Sequence, residues 1–335
     1  MELYLDSADP REIDQAVQLG FLYGLTTTPT FMHRSGVTDV DAMMVKLSKS
    51  VAVLQVEALG ETAEEVEVEA QRILDLGLEK KKTVFKIPIS LEGAKACKRL
   101  IDKDFLVNLH LIYTIQQAYI ALSAGATYVC PLIGRLQDQG QDALALVEQC
   151  VNAVERYGYA SKIMFSSVRH PEHVRNALNL GAHACTIPWK VLQQLTRNHF
   201  TDIGTREFFE HNRLLTLRVR DVIRKHPCTI ELDKTIVDAL VNMTRTGLGA
   251  VTLVDDSNRV RGVFTDGDLR RLLQAKGNGV LQSPLSDLNT KPPLTIQADA
   301  LLSESSELFK RHKVDTLVVV ENDNPIGMLD IQDLF

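Results

Sequence analysis

The chain predicts an α/β protein: a (βα)8 TIM barrel followed by a smaller α+β module made of two similar halves. Three observations lead there. Over roughly the first 200 residues, short apolar strands alternate with amphipathic helices about eight times, which implies a closed parallel sheet. Beyond that the rhythm changes and a repeat appears, with GVFTDGDL at 262–269 answered by GMLDIQDL at 327–334. The 335 residues are 45% hydrophobic and 24% charged, the composition of a globular chain long enough for about two domains.

The eight strands read ELYLDSA (2–8), YGLTTTPT (23–30), VAVLQVEAL (51–59), TVFKIPIS (83–90), LVNLHLIY (106–113), TYVCPLIGR (127–135), KIMFSSV (162–168) and HACTIPWK (183–190). Between them lie helical patterns such as PREIDQAVQLG and PEHVRNALNLG. Several close on glycine (Gly20, Gly77, Gly125, Gly181), as helix ends favour. An open, doubly wound sheet is the alternative, but no glycine-rich phosphate loop follows the first strand. TDIGTREFFEHNRLL then reads as a last helix leaving the barrel. The expected domains are 1–213 and 214–335, the second divided into copies at about 217–276 and 284–335. A repeat found only twice means a pseudo-symmetric pair, whose copies pack together.

Several classes are excluded. A net charge of −6 lacks the basic excess of a nucleic-acid protein. No run of 18 apolar residues suggests a membrane span, and MELYLDSAD carries no secretory pattern, so a cytoplasmic protein is expected. Cys97, Cys130, Cys150, Cys185 and Cys228 are odd in number and sit in apolar segments, which reads as buried, reduced thiols. No cluster has zinc spacing, and neither metal nor cofactor is expected.

Three groups carry chemistry. Lys86 shares a strand face with Val84 and Pro88, while Phe85, Ile87 and Ile89 take the other. Two readings stand: a strand-end lysine that snorkels to water, or a desolvated amine nucleophilic enough to form a Schiff base. Asp6 ends the first strand and Glu57 the third, where catalytic groups of barrels sit. A helix cap for Asp6, with Ser7 and Asp9 as nearer candidates, and a solvated loop acid for Glu57 are the alternatives. Arg135, Ser167 and Arg169 close strands six and seven, which suits a phosphate dianion or a pair of surface salt bridges.

MELYLDSAD, GLTTTPT, VFKIPIS, AGATYVCPLIGRLQDQG and SSVRHPEHVRNALNLGAHACTIPWKVLQQLTRN resemble the small transaldolase / fructose-6-phosphate aldolase family over about residues 1–212. The resemblance implies a metal-free, class I reaction on a phosphorylated ketose. In it Lys86 forms the imine, Asp6 acts as acid/base, Glu57 holds the catalytic water, Asn108 binds a substrate hydroxyl, and Arg135, Ser167 and Arg169 grip the phosphate. Thr26 and Thr28 join the substrate contacts, although Thr28 stands where the family carries asparagine. His110 replaces a threonine that helps hold the water, and is read as a proton shuttle or as a neutral core histidine. Leu132 replaces an aromatic residue and Cys130 a serine, so the sugar contacts look rebuilt. Pentose-phosphate-type carbohydrate metabolism and a homo-oligomer joined through the helix at 201–214 follow from the same likeness.

RVRDVI, LGAVTLVDD, GVFTDGDLRRLL and MLDIQDL resemble a tandem pair of cystathionine-β-synthase-type (CBS) domains, like those appended to arabinose-5-phosphate isomerase. This implies adenosine or another nucleotide as partner, held by Thr265 and Asp268 in the first copy. Asp333 keeps the ribose position in the second copy, whereas Asp330 stands where a hydroxyl would meet phosphate. A CBS pair serving only oligomer contacts, and a non-catalytic sugar-phosphate and nucleotide sensor, are the alternatives.

Overall fold

The computed structural model describes residues 1–223, 228–290 and 292–334. Eight parallel strands close in chain order: β1 (Glu2–Asp6), β2 (Gly24–Thr26), β3 (Leu54–Glu57), β4 (Thr83–Pro88), β5 (Leu106–Ile112), β6 (Tyr128–Pro131), β7 (Lys162–Phe165) and β8 (Ala184–Ile187). Around them run α1 (Pro10–Val17), α2 (Pro29–Arg34), α3 (Val40–Ser50), α4 (Ala63–Asp75), α5 (Leu91–Ile101), α6 (Ile115–Ser123), α7 (Ile133–Asp138), α8 (Ala143–Tyr157), α9 (Pro171–Asn179) and α10 (Trp189–Leu192). Each strand is shorter than its apolar run, because the last residues of the run leave the ladder to build the loops at the C-terminal mouth.

Strand alternation sorts the side chains. Leu5, Leu25, Val56, Phe85, Ile87, Val107, Leu109 and Ile163 point outward into the core shared with the helices. Tyr4, Val84, Tyr128, Met164 and Ala184 point inward and fill the barrel floor. There the Tyr4 hydroxyl meets that of Tyr128 at 2.8 Å, and Tyr128 donates to Glu2 at 2.7 Å. Gly24 faces this layer; a Cβ there would lie 2.3 Å from the Val53 carbonyl and 2.8 Å from the Tyr4 ring, so the crowded floor admits no side chain. All five cysteines are buried.

Two compact units divide the chain, Met1–Arg197 and Asn198–Phe335. The division therefore falls ahead of the expected 213/214 boundary. The helix assigned by sequence to the barrel half, α11 (His199–Thr216), packs within the second unit, where Leu214 lies against that unit's core and Arg213 donates to the Asp333 carbonyl. The unit continues with α12 (Val219–Val222), β9 (Thr229–Glu231), α13 (Ile236–Thr246), β10 (Ala250–Val254), β11 (Val260–Thr265), α14 (Asp266–Lys276), β12 (Thr295–Gln297), α15 (Leu302–His312), β13 (Thr316–Glu321) and β14 (Asn324–Asp330). Two three-stranded sheets result, ordered β11-β10-β9 and β12-β13-β14, each with one parallel and one antiparallel pairing.

The sequence copies are not the spatial copies. Val219 and Ile223, from the start of the first copy, are buried in the core around β13, and Val219 N–H donates to the Ala300 carbonyl. Leu285, from the start of the second, is buried beside β10, tied there by its N–H to the Lys234 carbonyl. Each lead-in thus completes the other half, which is why neither half buries its apolar face alone. Among the described residues no helix is long and apolar enough to cross a membrane.

Candidate active site

The mouth of the barrel opens on a cavity of about 670 Å³, lined by Asp6, Glu57, Lys86, Asn108, His110 and Arg169 among others. Strand parity brings all of these but Arg169 together: Asp6, Glu57, Lys86, Asn108 and His110 stand on the inward face above the floor layer, while Arg169 comes from the loop after β7. Lys86 pairs in register with Glu57 on one side and Asn108 on the other. The Lys86 amine does not snorkel. Its residue is 6% exposed, its Nζ donates to the Thr27 carbonyl at 3.0 Å, and Glu57 Oε1 lies 2.9 Å away. A buried amine held by one carboxylate and one carbonyl has a fixed direction, and Lys86 lines the cavity with Asp6 and His110.

Asp6 and Glu57 are shifted in opposite directions. Burial pushes the Asp6 carboxyl above the usual range, against the opposing pull of Lys86 and of the Thr26 hydroxyl, which donates to Asp6 Oδ1 at 2.9 Å. Burial acts upward on Glu57 too, but the His110 contact and the Lys86 charge outweigh it and hold Glu57 low. Asp6 thus holds a proton more readily than Glu57, the kind of difference between two carboxyls that acid–base chemistry uses. The helix-cap reading of Asp6 fails, because Asp9 caps α1 through the Arg11 N–H at 2.8 Å. The loop-acid reading of Glu57 fails as well, since its side chain is buried.

His110 Nε2 lies 2.9 Å from Glu57 Oε2, not aligned as a hydrogen bond. Burial first, and then the charges of Lys86 and Arg135, keep the imidazole neutral against the pull of Glu57. A bulge just beyond it shifts the β5–β6 register, with Leu111 in the left-handed region at φ 58°. Asn108 donates from Nδ2 to Gln55 Oε1 at 2.7 Å, while its carbonyl Oδ1 is buried without a hydrogen-bond partner among the described residues. That oxygen is the part of Asn108 left to receive a hydroxyl. The Thr26 hydroxyl is engaged by Asp6 and touches Thr186, so Thr26 orients the acid. Thr28 caps α2, accepting from the Phe31 N–H at 3.2 Å, and still lines the cavity.

Arg135, Ser167 and Arg169 stand together on the other wall. Arg169 pairs with Asp138 at 2.9 Å, but both side chains are more than half exposed, so the pair holds the guanidinium weakly. Arg135 lies 3.3 Å from the Tyr113 hydroxyl. Ser167 adopts φ 58°, and Gly134 of α7 sits so close that a Cβ would lie 2.1 Å from the Ser167 carbonyl. Beneath them, the His173 Nδ1 accepts the Arg169 N–H at 3.2 Å, and its Nε2 meets Gln137 Oε1 at 2.5 Å. Burial and the neighbouring His170 and Arg169 push the His173 pKa down to about 4.

Sequence reasoning missed Gln55, Tyr113, Thr186 and His173. Gln55 and Thr186 were legible by counting two residues along β3 and β8 from known inward positions. Tyr113 lies beyond the bulge, where that count fails, and His173 lies on a helix whose partner loop is defined only in space.

In the second unit, Thr265 and Asp268 engage each other. Thr265 Oγ1 donates to Asp268 Oδ2 at 2.7 Å and accepts the Asp268 N–H at 3.2 Å, and Arg271 reaches Asp268 Oδ1 at 2.5 Å. This is the capping box of α14. In the other half, Asp333 Oδ2 accepts the Asp330 N–H at 2.9 Å.

Comparison with known proteins follows the same division. The model of the family described as "Transaldolase/Fructose-6-phosphate aldolase" matches residues 3–234. The chain belongs to the transaldolase/fructose-6-phosphate aldolase family. The CBS domain model matches residues 219–275 and 285–335, so this member carries a tandem CBS pair. A probable transaldolase of Coprothermobacter proteolyticus is 38% identical over 208 residues, covering 62% of this chain and 94% of that protein. A probable transaldolase of Geobacter sulfurreducens is 38% identical over 215 residues, covering 63% and 97%. A CBS-domain containing protein of Agrobacterium tumefaciens, 25% identical, aligns over 35% of this chain and 90% of its own with a TM-score of 0.32.

Proposed function

We propose that this family member is a class I enzyme that cleaves a phosphorylated ketose through an imine on Lys86, then transfers or releases a dihydroxyacetone unit. The observation that carries the reading is the buried Lys86 amine, 2.9 Å from Glu57 and in a cavity that it shares with Asp6. Lys86 attacks the ketone carbon, and Glu57 takes protons from nitrogen. Water leaves as the imine forms. Asp6 in its ionised form accepts the substrate hydroxyl proton, the carbon–carbon bond breaks, and the electron pair passes into the protonated imine. An aldehyde acceptor makes the reaction a transaldolase turnover; protonation and hydrolysis make it an aldolase turnover. Asn108 Oδ1 receives a sugar hydroxyl, and Arg135, Ser167 and Arg169 bind the phosphate dianion.

The CBS pair takes an adenine or other nucleotide at Thr265 and Asp268, with Asp333 as the ribose-side acid of the second half, and the bound nucleotide changes barrel turnover. Identical kinetics with and without added nucleotides sink that part alone. A homo-oligomer is supported by Phe200, Phe208 and Phe209 of α11, all more than 70% exposed.

The deciding experiment is borohydride trapping with fructose 6-phosphate and other ketose phosphates, read by peptide mass. A covalent adduct on Lys86 is expected, with both adduct and turnover lost in Lys86→Met. A fully active Lys86→Met chain refutes the mechanism. No adduct with any ketose phosphate, alongside measurable nucleotide binding, favours the sensor instead.

A further inference from the structure

Lys86, Glu57 and His110 form a chain of contacts across three strands of the barrel wall. Glu57 Oε1 lies 2.9 Å from the Lys86 amine and Glu57 Oε2 lies 2.9 Å from His110 Nε2. All three side chains are at most 10% exposed, and all three line the cavity. A buried carboxylate loses strong hydration, and its oxygens need donors in return. Here one oxygen has a reactive amine and the other has only the imidazole.

We propose that His110 is a positioning residue for Glu57, holding that carboxylate so that it serves as the proton carrier for Lys86. The inference deepens the imine chemistry proposed above and rests on it. Going from ammonium and ketone to protonated imine and water moves two protons from nitrogen to the departing oxygen. The nitrogen–carbon bond forms and the carbon–oxygen bond breaks, so nothing else is consumed. Glu57 carries these protons, accepting each on the oxygen beside Lys86 and returning it to the oxygen that leaves as water. With His110 against Oε2, the carboxylate neither rotates away from Lys86 nor keeps its proton. The other groups facing His110 are Lys86, Arg135 and, across the β5–β6 ladder, Cys130. The first two are cationic and oppose its protonation, so the ring is neutral, and in the tautomer carrying hydrogen on Nε2 a turn of the ring aligns that hydrogen with Glu57 Oε2 across the 2.9 Å contact.

The test compares His110→Leu with His110→Gln, which keeps a donor of similar reach. Three quantities are read in the full chain: the rate of borohydride-trappable adduct formation with fructose 6-phosphate, KM, and the acidic limb of the pH–rate profile. Leucine is expected to slow adduct formation about a hundredfold, the usual scale of acid–base help. KM should stay within about twofold, and the acidic limb should move to higher pH, because Glu57 loses a contact that holds it ionised. Glutamine should restore most of the rate and return the limb. If His110→Leu does not fold, His110→Asn, too short to reach Glu57, replaces it. A leucine or asparagine variant with the parent rate and limb overturns the proposal. So does a glutamine variant as slow as leucine with an unmoved limb, which would mark a packing role. Failure of the unmodified chain to trap any adduct sinks the imine reading instead, so the two failures are distinguishable.

Discussion

The barrel mouth and the Thr265–Asp268 corner of the CBS pair both set an acid beside a hydroxyl, yet they are held by opposite means. Asp6 and Thr26 come from different strands, 20 residues apart, and their contact exists only because β1 and β2 pair in register. Thr265 and Asp268 lie three residues apart and satisfy each other as soon as α14 forms. The first pair is buried, so the Asp6 carboxyl is perturbed, by burial and by the nearby charge of Lys86. The second is partly exposed, and Asp268 is held below the usual range: burial pushes upward, but Thr265 and Arg271 overcome it. A perturbed charge held by the whole fold marks a site built for chemistry. A locally satisfied cap marks a helix start whose groups a ligand must first release.

This contrast can be broken by substitution, and the largest effect belongs to the barrel. Asp6→Asn should lower turnover about 10² to 10³-fold while Lys86 still forms a trappable adduct, because only the proton acceptor for bond cleavage is lost. The same change should raise Tm, since a neutral amide removes a buried acid whose ionisation the fold opposes. Wild-type turnover, or a lowered Tm, would break the contrast at its strongest point.

Gly134→Ala comes next. A Cβ 2.1 Å from the Ser167 carbonyl forces the phosphate wall apart, at about 1–3 kcal/mol of stability. A raised KM for phosphorylated ketoses with little change for dihydroxyacetone would sharpen the assignment of Arg135, Ser167 and Arg169. An equal rise for both substrates would count against it.

His173 supplies a pH test. Its pKa is about 4 folded against 6.5 as the ordinary value, so the unfolded chain binds more protons between those pH values. Stability is therefore fully present above about pH 6.5 and falls as pH drops toward 4, by on the order of 2 kcal/mol. Thermal melts across that range should show a loss that His173→Gln reduces. An unchanged slope in the variant would remove His173 as the cause.

The smallest effect is expected at the local corner. Thr265→Val should cost about 1 kcal/mol, the usual loss of a helix cap, and leave barrel turnover without nucleotide unchanged. A loss several times larger would mean that the corner is braced by long-range contacts after all.

Lys86, Asp6 and Glu57 were legible because strand parity and position at a strand end are local properties of the chain. Arg135, Ser167 and Arg169 were expected at strand ends, but Arg135 lies in α7 and Ser167 and Arg169 in the loop after β7; they still line the cavity, while Gly134, packed against Ser167, drew no notice. The exchange of lead-ins in the CBS pair was not legible. Val219 and Leu285 are apolar residues in matching places, and only packing decides which half each completes. The place of α11 was hidden for a similar reason, since an amphipathic helix at a boundary carries no mark of the unit it joins.

Periodicity and the repeat by themselves determined the barrel, the paired module behind it and the inward face of β4, because those follow from side-chain alternation and short-range connection. Tertiary structure decided that the Lys86 amine meets Glu57, that His110 meets the other oxygen of the same carboxylate, and that Asp6 is shifted up and Glu57 down. Those outcomes depend on distances of about 3 Å between separate strands and on how much water the closed wall excludes, neither of which is written in any one segment.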